Sequence, residues 1–83
     1  MKPVFSKHAL AQMEQRDITK DRILTVITSP DTMTKQGNDI LIYSKLVNDD
    51  IKDYLYRVFV NHLKEPELVI TACKTSKIKK YGY

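Results

Sequence analysis

Apolar residues recur at helical spacing twice near the start of the chain and at strand spacing after that. From Lys7 to Arg16, Ala9, Leu10 and Met13 fall in one sector of a helical wheel and should face a core. His8, Gln12, Gln15 and Arg16 share another sector, because residues three or four apart stack on one face. Ser6 has the short oxygen-bearing side chain of an N-cap, and Phe5 before it suits a hydrophobic staple. After a break at Asp17-Ile18, Thr19 can cap a second helix running to Thr28, with Ile23, Leu24, Val26 and Ile27 as its apolar stripe. Ser29-Pro30 ends it, since the residue before proline avoids helical geometry.

The remainder alternates as strands do. Thr32 to Gln36 is a weak strand, and Gly37-Asn38-Asp39 is a turn. Ile40 to Val47 is a strong strand, rich in Ile, Leu, Tyr and Val. Asn48-Asp49-Asp50 turns the chain into the longest run, Asp53 to His62. That run has apolar side chains on both faces, which marks a central strand. Leu63 to Pro66 connects it to a last strand, Glu67 to Cys73. Connections this short make neighbouring strands antiparallel hairpins. The expected fold is α+β: two N-terminal helices packed on a four-stranded antiparallel sheet, closed by a short basic turn or helix.

Composition narrows the setting. At 83 residues the chain makes one domain, residues 1–83. A hydrophobic content of 42% with 29% charged residues describes a globular protein rather than a disordered one. The single cysteine, Cys73, has no internal disulfide partner. The N-terminus lacks the apolar core of a signal peptide, and no apolar run approaches the roughly 20 residues of a membrane span. These features lead us to expect a cytoplasmic protein.

Charge changes the picture more. Residues 1–67 balance, so the whole net charge of +4 comes from Lys74, Lys77, Lys79 and Lys80. A one-sign cluster at the end of a strand suits a polyanion; the alternative is a solvated tail. Metal binding is not expected, because His8, His62 and Cys73 are scattered without paired spacing. No glycine-rich phosphate loop is present, with only Gly37 and Gly82 in the chain. Arg57 is more informative: a charge within an apolar strand needs a partner or an open groove. Hairpin register puts it across from about Ala72 to Cys73, beside the lysine segment. Its partner is either a carboxylate, Asp53 or Glu14, or a bound anion. In a helical turn, Lys77 and Tyr81 would share a side, with Lys80 alongside and Ile78 as anchor.

These residue types match what metal-free RNA cleavage requires: a base for the 2′-hydroxyl, an acid for the leaving oxygen and cations for the doubly charged phosphorane. Arginine stays protonated and grips phosphate with two bonds. Histidine titrates nearest neutrality, which makes His8 the conventional acid–base candidate. Lysine serves as a base only where neighbouring cations disfavour its charge, as a lysine cluster would. Tyr81 can orient a group, transfer a proton or stack on a base.

With these residues assembled, the chain resembles small bacterial toxins of the BrnT kind in the wider RelE-like group, and more closely a related family of short uncharacterised domains. Three stretches carry the likeness: Phe5 to Arg16 followed by Asp17-Ile18, the second helix ending at Ser29-Pro30, and Ile70 to Tyr81 with its Thr, Ser, Lys and Tyr pattern. Asp17 stands where such sequences usually have glycine, and Cys73-Lys74 where an aromatic and an arginine are common. The resemblance implies a RelE-like fold and a metal-independent endoribonuclease toxin, needing no cofactor and held inactive by a cognate antitoxin protein. It carries over His8, Arg57, Lys77 and Tyr81 as catalytic candidates, and Arg16, Lys74, Lys79 and Lys80 as RNA-binding ones. Two other readings of the same residues remain: a non-catalytic nucleic-acid-binding module, and a small regulatory domain whose basic end meets an acidic partner.

Overall fold

In the computed structural model, residues 3–81 are described, apart from the side chains of Asp49 and Tyr81. The elements run β1 (Val4–Phe5), α1 (Lys7–Arg16), α2 (Lys20–Thr28), β2 (Thr32–Gln36), β3 (Ile40–Asp49), β4 (Lys52–Asn61), β5 (Leu68–Thr75) and a closing 3₁₀ turn, Ile78–Tyr81. The sheet is five-stranded and mixed, in the order β1-β5-β4-β3-β2. This corrects the four-stranded antiparallel expectation. β2 to β5 pair antiparallel in sequence, and β1 adds a parallel fifth strand on β5 through Val4↔Leu68 and Phe5↔Val69. The chain therefore opens on a strand, not a helix. Two residues are too short for a period of two to show. Phe5 pairs in the sheet and packs against the core, although its place before Ser6 suggested a staple.

Both helices start where their caps place them. The Ser6 hydroxyl accepts from the Ala9 amide at 3.0 Å, and that of Thr19 from the Arg22 amide at 3.1 Å. α1 stops at Asp17, which takes a left-handed conformation with φ 56°. Ile18 then donates its amide to Met13 at 2.8 Å and turns its buried side chain into the core. This closing bond satisfies a carbonyl that would otherwise be orphaned at the helix end.

The helices cover one face of the sheet. Val58, Val60 and Tyr56 of β4, Tyr43 and Val47 of β3, and Val69 and Ala72 of β5 form the core with Ala9, Met13, Ile18, Ile23 and Val26. Each fully buried aliphatic side chain contributes about 1.5–3 kcal/mol. Leu10, expected in this core, is 41% exposed and lies instead in a groove with Phe5 and Leu24. Leu55 points away from the helices yet is 1% exposed, and the 3₁₀ turn packs against its strand. β4 is the middle strand, so Arg57 lies at the centre of the helix-free face, between Ser44 and Cys73. Among the described residues, no helix is long and apolar enough to cross a membrane.

Candidate nucleic-acid interface

The polar side of α1 has a structural task. Past Phe5, no strand among the described residues pairs with the outer side of β5, and its outward backbone groups need partners. α1 runs along that edge and supplies them. The Ser6 hydroxyl donates to the Ile70 carbonyl at 3.3 Å, and the Gln12 carbonyl oxygen accepts from the Ala72 amide at 3.0 Å. Arg16 reaches the Lys74 carbonyl at 3.5 Å, the long limit of a hydrogen bond. Two of the four residues read as a possible site face, Gln12 and Arg16, thus cap a sheet edge. His8 is exposed and lines a shallow cleft with Ala11, Gln12, Glu14 and Gln15, a lining that includes neither Arg57 nor Lys77.

Arg57 and Arg16 nonetheless act on one atom. Burial pushes the Cys73 thiol above its ordinary pKa, while the charges of Arg57 and Arg16 and a backbone bond with Arg57 pull it down. Burial wins, so the thiol is held in its protonated, unreactive form. Arg57 is the cross-strand neighbour of Cys73, and Arg16 reaches the carbonyl of the next residue, Lys74. The Arg57 guanidinium lies 5.4 Å from the centre of the Phe59 ring. Of the two carboxylates proposed as its partner, Asp53 accepts from the Asn48 amide at 2.7 Å, and Glu14 lines the cleft of His8.

The lysines divide. Pairing with Tyr56 puts Lys74 on the helix-covered face, opposite to Arg57. There its ammonium lies 5.0 Å from the Tyr54 ring centre and 6.0 Å from that of Tyr56. Lys77, Lys79 and Lys80 are exposed on the terminal turn, where Ile78 is half-buried. The turn is fixed by the Lys77 amide donating to the Thr75 hydroxyl at 3.0 Å and the Lys80 amide to the Lys77 carbonyl at 3.3 Å. Lys77 precedes the 3₁₀ turn, and its carbonyl accepts the bond that opens it. The shared side expected for Lys77 and Tyr81 involves the Tyr81 side chain, which lies outside the described residues.

The sequence reading missed Arg22, whose guanidinium lies 5.6 Å from the centre of the Tyr56 ring. The signals were present but separate: Arg22 follows a capping threonine by three, and strand alternation sends Tyr54 and Tyr56 to the helix face. Only the packing of α2 against β4 joins them.

Fold and charge together define a small α+β domain with a basic end beside its central strand. The chain belongs to a family described as a domain of unknown function (DUF4258), whose model matches residues 5–74. The match takes in His8, Arg16, Arg57 and Lys74 and ends before Lys77, Lys79, Lys80 and Tyr81. No curated protein and no solved structure matches the chain.

Proposed function

We propose that this domain is a toxin-like, metal-independent endoribonuclease of the cytoplasm, kept in check by a cognate antitoxin protein. The observation that carries the reading is Arg57 at the centre of the helix-free face, on the strand against which the lysine-bearing turn packs. A single RNA strand lying from the turn onto this face would meet Lys77, Lys79 and Lys80 through its phosphates. Arg57 would hold the scissile phosphate and stabilise charge as the phosphorane forms. Phe59, under the guanidinium, offers a ring for base stacking. Lys77 and Tyr81 are the proton-transfer candidates next to that strand. Arg16 and Lys74 border the edge of β5 and extend the positive surface.

A second reading, binding without cleavage, is favoured by one observation: the cleft of His8 includes neither Arg57 nor Lys77. One assay separates the two. Purified protein is incubated with single-stranded RNA in excess chelator, beside Arg57→Ala and His8→Ala. The enzyme reading expects cleavage that Arg57→Ala abolishes while the sheet stays folded. Retention of RNA without cleavage establishes the binding module, and neither binding nor cleavage removes both readings.

A further inference from the structure

The turn between the helices holds a second positive site, apart from the terminal lysines. A cleft of about 170 Å³ is lined by Asp17, Ile18, Thr19, Arg22, Tyr56 and Lys74. Arg22 and Lys74 bring two cations to it. Neither has a carboxylate within ion-pair distance among the described residues. Their positive ends rest on aromatic rings instead, Arg22 on Tyr56 and Lys74 on Tyr54 and Tyr56. A ring face orients a cation without neutralising it.

Two further features face the same space. Tyr56 is 4% exposed, and no hydrogen bond from the described residues reaches its hydroxyl. Tyr56 lines the cleft. α2 also begins here, and the Thr19 hydroxyl occupies only the Arg22 amide of its first turn. A helix start attracts negative charge, and the capping Thr19 lines the cleft.

We propose that this cleft binds a phosphate group carrying a proton, as inorganic phosphate or a terminal phosphate monoester. Arg22 and Lys74 supply the charge, the Tyr56 hydroxyl donates a hydrogen bond, and Asp17 sets the selectivity. A carboxylate repels a fully deprotonated oxyanion but accepts a hydrogen bond from a P–OH group. Sulfate has no such proton near neutral pH and is disfavoured. The site goes beyond the RNA reading: it shares Lys74 with that surface but uses none of Arg57, Lys77, Lys79 and Lys80.

The test is a titration of the amide NMR spectrum at constant ionic strength with inorganic phosphate, with sulfate and with a nucleoside 5′-monophosphate. Saturable shifts confined to residues around 18–22 and 74 are expected with phosphate. Sulfate should bind several-fold more weakly, and Asp17→Asn should remove that difference. Arg22→Gln should weaken phosphate binding at least tenfold, and Lys74→Gln serves in its place if that variant loses its fold. The monophosphate binding as well as phosphate assigns the site to terminal monoesters; phosphate binding alone assigns it to the free ion. Linear, diffuse shifts in the wild-type protein, or folded variants that titrate like it, overturn the proposal. Lys77→Gln/Lys79→Gln/Lys80→Gln should keep the phosphate response whatever its RNA binding, so the two accounts can fail separately.

Discussion

Two positive regions of this molecule differ in how their charge is held. At the chain's basic end, Lys79 and Lys80 project into solvent from the 3₁₀ turn and Lys77 from the residue before it. At the corner of the helices, Arg22 and Lys74 lie on tyrosine rings, and Arg16 is tied to the backbone of β5. The first region is an adaptable surface whose contribution is electrostatic and therefore salt-dependent. The second is an ordered set of donors, suited to one small anion. The same residue types thus give a surface for a polymer in one place and a pocket for a group in the other.

The comparison breaks most visibly at Arg57. If the helix-free face is where chemistry happens, Arg57→Ala should reduce RNA cleavage in chelator by about 100-fold or more, the cost of removing one transition-state donor. Retained cleavage would move the site elsewhere. A smaller effect concerns α1, whose polar face the structure gives to the edge of β5. Gln12→Ala leaves the Ala72 amide without its acceptor. It should cost about 1–2 kcal/mol in urea unfolding and leave RNA affinity unchanged. Lost affinity with unchanged stability would return that face to the interface.

Asp17 offers a stabilising change at the corner itself. It holds φ 56° with a side chain, in a conformation that costs most residues roughly 1–2 kcal/mol and glycine little. Asp17→Gly should stabilise the fold by about 1 kcal/mol, seen as a higher urea midpoint. A lower midpoint would show that the carboxylate makes a compensating interaction.

The smallest expected effect is alkaline. Burial raises both the Cys73 thiol and the Tyr43 phenol, the latter helped by Glu67. Groups raised on folding contribute stability that is complete below their unfolded values and is lost as pH climbs through the folded ones. Unfolding free energy should therefore fall on the alkaline side of the ordinary thiol value. Arg57→Ala, by removing a cation that pulls the thiol down, should shift Cys73 alkylation to still higher pH. An unchanged or lowered alkylation pH would separate Arg57 from Cys73.

What the sequence disclosed follows from how local each signal is. Ser6 and Thr19 announce the helix starts because capping needs only neighbouring residues. The central strand shows because its two apolar faces lie within ten residues. β1 stayed hidden because two residues carry no period and its partner, Leu68 and Val69, is more than sixty residues away. The role of Gln12 stayed hidden for the same reason, its bond to Ala72 spanning sixty positions. The lysine excess is arithmetic and was plain. The division of Lys74 from Arg57 required the register of β4 on β5, and the pocket at Tyr56 required two helices to be laid on the sheet.

The central claim is that the lysines of the terminal turn, rather than the polar face of α1, meet RNA phosphates. Its most direct measurement is the slope of log affinity against log salt for a single-stranded RNA, taken for wild type and for Lys77→Gln/Lys79→Gln/Lys80→Gln. Each phosphate neutralised contributes about −0.7 to that slope, so the triple variant should be flatter by about 2. Its melting temperature should barely move, since exposed charges contribute little to folding. A folded triple variant with the wild-type slope would contradict the account and leave those lysines a solvated tail; a triple variant that unfolds would contradict it too, by making them structural.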